Sequence, residues 1–155
     1  MTDKNSDFII RVYGIYVEPK KGLLVSDEFI KGRQITKLPG GGLEYGEGLR
    51  DCLRREMLEE TQTRFRITDH FYTTDFFVES AFHKDKQVIS VYYRMEPEEP
   101  LRITVNDSMQ QLSGEGAESF RYIPMSEVSP ESFSLIIDSH VAKLLREEWR
   151  KHRHG

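Results

Sequence analysis

The sequence predicts an α/β fold, a mixed β-sheet with helices packed on it. Three observations carry that expectation: short runs rich in β-branched and aromatic residues recur along the chain, two stretches read as helix, and turn residues separate them. Phe8 to Val17 (FIIRVYGIYV) opens the series, and Leu23 to Val25 resume it after Pro19-Lys20-Lys21-Gly22, which reads as a hairpin or meander. Gln34 to Leu38 predicts another strand. It runs into Pro39-Gly40-Gly41-Gly42, where missing β-carbons allow a sharp turn or the close approach of a ligand. Between Gly48 and about Thr61 there is neither glycine nor proline, and the composition favours helix. Strand-like runs return at Phe71 to Val78, Val88 to Met95, Leu101 to Val105 and Phe120 to Ile123. Ser129-Pro130-Glu131 has the form of an N-cap with proline at the first helical position. A last helix is expected from there, with Ile137, Val141, Leu144, Leu145 and Trp149 as its apolar stripe. The basic tail from Arg150 to Gly155 is expected to fray.

A length of 155 residues suits a single domain, taken as 1–155, with one active site. The formal net charge of −4 provides no global positive field, which disfavours a polymeric nucleic acid as partner. Cys52 is the only cysteine, so an internal disulfide and a multi-cysteine zinc site are excluded, and a reducing, cytoplasmic compartment is the default. Met1 to Asp7 is polar and no apolar run reaches membrane-spanning length, so no membrane partner is expected.

At about 100° per residue, the first helix sets Leu49, Cys52, Leu53 and Met57 on one broad face. Glu56 and Glu60 project within the same arc, and Glu59 lies beside it. Most such charge runs are simply a solvated face. Here the carboxylates follow the buried stripe, where they repel and take up protons unless a cation holds them ionised. Hard oxygen ligands with no companion histidine or cysteine cluster suit Mg²⁺ or Mn²⁺ and not zinc. The glycine run just upstream adds carbonyls for a metal and N–H groups for phosphate.

Gly41, five residues, Glu47, seven residues, then Arg55-Glu56-Met57-Leu58-Glu59-Glu60 resembles the Nudix box, G-x5-E-x7-R-E-U-x-E-E-x-G-U, where U is aliphatic. Six fixed positions match, and Met57 fills the apolar one. Gln62 stands where the box has glycine and Thr63 where it has an aliphatic residue. The resemblance implies an α/β/α sandwich with a mixed β-sheet. It implies Mg²⁺-dependent hydrolysis, by metal-activated water, of a phosphoanhydride in a nucleoside diphosphate linked to another group. On that resemblance Glu59 and Glu60 are the principal metal ligands, Glu56 joins directly or through water, the Gly40 carbonyl completes the shell, and Arg55 orients the glutamates. Glu47 pairs with Arg55 or simply favours the helix start. A later acidic residue serves as base or further ligand, with Glu115 ahead of Glu118 and a solvated loop carboxylate as the alternative for each. Lys37 and Arg33, with Gly41 and Gly42, are candidates for the substrate phosphates, against surface charge at a strand edge. The aromatics of Phe71 to Phe77 offer stacking partners for a base or, more ordinarily, core. His70, His83 and His140 are assigned no function.

The leaving group stays open among triphosphate, ADP-ribose or nucleotide-sugar, and dinucleoside polyphosphate hydrolysis, and a catalytically silent nucleotide-sensing module is the reading from another class. There is no proline near Glu79 and residue 80 is serine, not tyrosine, so neither special subclass gains support and a general nucleotide activity is favoured. The oligomeric state stays open, a homodimer being the commonest arrangement among soluble oligomers. Gln62 is expected to close the helix in the left-handed conformation.

Overall fold

In a computed structural model, which describes residues 7–153, the predicted runs become nine strands and two α-helices. The polar stretch through Ser6 and the last two residues of the basic tail, His154 and Gly155, lie outside the described residues. In chain order the elements are β1 (Asp7–Ile15), β2 (Val17–Glu18), β3 (Gly22–Ile30), β4 (Arg33–Lys37), β5 (Gly40–Gly42), α1 (Leu49–Thr61), β6 (Phe65–Thr73), β7 (Lys86–Pro97), β8 (Val105–Asn106), β9 (Glu118–Ile123) and α2 (Ile136–Arg153). They fall into two compact units. The first takes residues 7–15 and Gly40–Ile103, the second Tyr16–Pro39 and residues 104–153.

The first unit holds a sheet of order β5-β1-β7-β6, in which β1 and β7 run parallel and the other pairs antiparallel. Val12, Tyr13 and Ile15 of β1 are buried with Phe65 and Ile67 of β6 and Tyr92 and Met95 of β7. Helix α1 packs on β5, β6 and β1 through its buried Cys52, Leu53 and Met57, the predicted face. Full burial of a leucine or methionine side chain contributes about 1.5–3 kcal/mol, which is what fixes α1 against the sheet. The glycine run, expected as a turn, is itself a strand: Gly40, Gly41 and Gly42 pair with Tyr13, Val12 and Arg11. A backbone ladder needs no side chain, so strand propensity missed it. The strand expected over Phe71 to Val78 ends at Thr73 instead. Thr74 Oγ1 accepts the Ser90 N–H at 2.9 Å and donates to the Ser90 carbonyl at 3.1 Å, which interrupts the ladder and leaves Phe76 and Phe77 exposed.

The second unit holds a mixed sheet of order β2-β3-β9-β8 with β4 on β3; β8 and β9 run parallel. The β3–β4 hairpin closes through Lys31 and Gly32, with φ of 49° and 81°, the type I′ geometry that matches strand twist. Asp27 is buried and takes Arg121 Nε at 2.6 Å and Thr36 Oγ1 at 2.6 Å, so three strands share one polar network. Of the run expected over Leu101 to Val105, only Val105 joins a ladder. Ser129 and Pro130 start a single 3₁₀ turn, Pro130–Ser132, and α2 begins only at Ile136. The reason is non-local: Ser134 donates its N–H to the Thr36 carbonyl at 3.1 Å and accepts the Thr36 N–H on Oγ at 2.9 Å, which holds it out of helix. From there Ile137, Val141 and Leu145 are buried as the stripe predicts, and the helix runs through Arg153 without fraying before that residue. Among the described residues no helix is long and apolar enough to cross a membrane.

Candidate active site

The site grows from the junction of β5 and α1. Gly40 has φ +144°, and a β-carbon there would strike the Val12 carbonyl of the neighbouring strand. At Gly41 a β-carbon would occupy the space of the Glu56 carboxylate, so glycine here lets an acidic side chain lie against the strand backbone. After the turn in which the Glu47 N–H reaches the Glu44 carbonyl, Gly48 caps α1 and the helix brings Arg55 back over β5.

Arg55 is the hub. Its Nε and Nη2 hold the two oxygens of Glu47 at 2.9 and 2.8 Å, a bidentate pair. Nη2 also donates to the Gly42 carbonyl at 3.1 Å. Nη1 reaches Glu56 Oε1 at 3.0 Å, Glu59 at 3.4 Å and Glu44 Oε1 at 3.8 Å. Arg55 hydrogen bonding, with help from the Glu44 backbone N–H, holds the Glu47 carboxyl down at about 2. The same carboxylates, Glu47 first, raise Arg55 further above its already high range. Cys52 is buried beneath, its thiol directed at the Gly42 carbonyl at 3.5 Å; burial and then Glu47 push it up to about 12, which makes it an inert thiol. Glu59 is exposed at the helix surface, whereas Glu60 Oε2 is shielded from solvent.

The structure thus brings Glu47, Arg55, Glu56, Glu59, Gly41 and Gly42 together in the first unit. Among the described residues no three His, Cys, Asp or Glu side chains are placed to hold a metal ion, so Glu56, Glu59 and Glu60 do not converge as the expected ligand set. Glu56 and Glu59 stand instead at 3.0 and 3.4 Å from the Arg55 guanidinium.

The other expected residues lie in the second unit. Glu115 accepts the backbone N–H groups of Lys31 and Gly32, which ties its loop to the hairpin tip. Glu118 accepts from Ser26 Oγ at 2.6 Å and lies 4.0 Å from Lys37 Nζ, both on Oε2. Lys37 is buried and so is not a surface charge, while Arg33 is exposed at the hairpin. Four residue steps at about 3.3 Å put their backbones about 13 Å apart along β4. Sequence reasoning missed Glu44 and the contact of Cys52 with Gly42; the signal for Glu44 was an acid three residues before Glu47, the offset of a turn.

The sequence model of the NUDIX domain matches residues 9–144, and the chain belongs to that family of pyrophosphohydrolases. The MutT protein of Methanosarcina mazei Go1 superposes with a TM-score of 0.67 at 17% identity, covering 99% of this chain and 100% of that one. A Nudix hydrolase from Nitrosomonas europaea gives 0.58 at 20% identity, covering 95% of this chain and 73% of that one. A UDP-X diphosphatase gives 0.59 at 16% identity over 97% and 67%. These likenesses establish the shared fold. No curated protein matches the chain.

Proposed function

We propose that this chain hydrolyses a phosphoanhydride bond in a nucleoside diphosphate linked to another group, with Mg²⁺ or Mn²⁺ as cofactor. The observation that carries the reading is the charge imbalance at Arg55. Four carboxylates, Glu44, Glu47, Glu56 and Glu59, stand at 3.8 Å or less from one guanidinium, leaving three formal negative charges in excess. The donors suit a hard divalent cation in kind: carboxylate oxygens of Glu56, Glu59 and Glu60 and the Gly40 carbonyl, with no nitrogen or sulfur. Mg²⁺ in phosphate sites uses one or two carboxylates and takes its remaining ligands from water and substrate, so a converged triad is not required. When bound, the cation supplies charge neutralisation on the bridging phosphates and acidifies a bound water.

The chain's own residues do the positioning. Glu47 fixes Arg55, Arg55 fixes Glu56 and Glu59, and Gly41 leaves room for the Glu56 carboxylate against β5. Water oxygen bonds to phosphorus as the bridging P–O bond breaks, with no covalent enzyme intermediate. The attacking water gives its proton to a general base, the role that the resemblance assigns to a later acid, Glu115 ahead of Glu118. A small-molecule nucleotide in a reducing, cytoplasmic compartment fits the single buried thiol. The test is product analysis after incubation with nucleoside triphosphates, ADP-ribose, nucleotide sugars and dinucleoside polyphosphates. Metal-dependent release of a nucleoside monophosphate is expected, foremost from the simpler nucleotides. No turnover of the whole panel with Mg²⁺ or Mn²⁺ would leave a silent nucleotide-sensing module.

A further inference from the structure

We infer that Arg55 is the resident counter-cation of this site, a positioning residue that must hand over Glu56 and Glu59 before a divalent ion can use them. The two edges of the guanidinium are unequally committed. The Nε–Nη2 edge grips Glu47 bidentately at 2.9 and 2.8 Å and adds the Gly42 carbonyl at 3.1 Å. Nη1 alone serves Glu56 at 3.0 Å, Glu59 at 3.4 Å and Glu44 at 3.8 Å. One nitrogen divided among three carboxylates holds Glu56 at an ordinary hydrogen-bond length but Glu59 and Glu44 only by longer, exchangeable contacts, and Glu59 is largely solvated. An incoming metal therefore breaks only the weak edge. Arg55 keeps its place on Glu47, and its charge is permanent at any working pH. This accounts for finding no converged metal-holding group among the described residues although the donors are of the right kind. Arg55 is then a competitor for metal as well as an orienting group.

The inference rests on the metal-dependent reading, and the two can fail separately. Mn²⁺ alone, without substrate, is titrated into the full chain and the free ion is read by electron paramagnetic resonance, for wild type, Arg55→Gln and Arg55→Lys. Arg55→Gln is expected to bind Mn²⁺ about two- to fivefold more tightly, the equilibrium factor for losing a partly exposed ion pair, while its metal-free form melts earlier than wild type. Arg55→Lys keeps the charge and loses the fork, so it should also tighten binding, by less, and it serves if the glutamine variant does not fold. An Arg55 that only orders the glutamates predicts the opposite sign, because disordered carboxylates bind an ion less well. Weaker or unchanged binding in the folded variants overturns the inference and leaves metal dependence standing. No Mn²⁺ binding to wild type or either variant removes both.

Discussion

At the level of single side chains, the bidentate pair of Arg55 and Glu47 sets a pH dependence whose sign follows from which form of the acid it favours. Arg55 donates to the carboxylate, so the folded chain holds Glu47 at about 2 against an ordinary 4.5. A depressed carboxyl stabilises the fold above its unfolded value, and that contribution fades as pH falls from 4.5 toward 2. The gap in melting temperature between metal-free wild type and Glu47→Gln should thus be constant at neutral pH and close on acidification; a gap undiminished at the acid end would show that the pair adds nothing. Glu60, with an oxygen already shielded from solvent, tests the chemistry instead. Glu60→Gln should lower kcat by at least about a hundredfold with the fold retained, the scale of losing one electrostatic stabiliser. Near-native turnover at saturating Mg²⁺ would remove Glu60 from the mechanism.

At the level of elements, the end of α1 offers a sharper test than its middle. Gln62 closes the helix with φ 52° and ψ 24°, donating its N–H to the Leu58 carbonyl, so the left-handed cap expected from the sequence is present with a β-carbon on it. That conformation costs a non-glycine residue about 1 kcal/mol or more. Gln62 recovers part of this, because its side-chain amide donates to the Glu59 carbonyl at 2.9 Å from an exposed position, a bond of about 0.5 kcal/mol. Gln62→Gly should therefore stabilise the chain by about 0.5 kcal/mol, raising the denaturation midpoint at unchanged m-value with catalysis intact. A lowered midpoint would mean that the amide bond outweighs the relieved strain. The same helix shows what was legible in sequence: the box residues lie on one local, periodic element and the strand before it, so helix periodicity picked out Glu56, and the resemblance to the box added Gly41 and Arg55. Legibility ended where hydrogen bonds came from far along the chain. The start of α2 was misplaced because Thr36, 98 residues before Ser134, holds that residue out of helix. Likewise Glu115 read as a free loop acid because its partners, Lys31 and Gly32, precede it by 84 and 83 residues.

At the level of the whole molecule, the chain passes between its two units three times, after Ile15, Pro39 and Ile103, so neither unit is a continuous stretch. Small domains commonly melt in a single cooperative transition, and one is expected here. Metal binding offers a way to test this, because the carboxylates of α1 belong to the first unit and the only tryptophan, Trp149 on α2, belongs to the second. A ligand that binds only the native state at ten times its Kd stabilises by about 1.4 kcal/mol, which for a chain of this size raises the melting temperature by about 3–6 °C. If the chain melts as one, Trp149 fluorescence and far-ultraviolet circular dichroism should give the same midpoint and the same upward shift with Mg²⁺. Glu56→Gln and Glu59→Gln should blunt that shift in both signals. A Trp149 transition indifferent to Mg²⁺ while the circular dichroism midpoint rises would show two independently melting units. A midpoint that no probe sees move in millimolar Mg²⁺ would instead count against a metal site formed without substrate, and would leave Arg55 as the only cation that the box glutamates require in the resting protein.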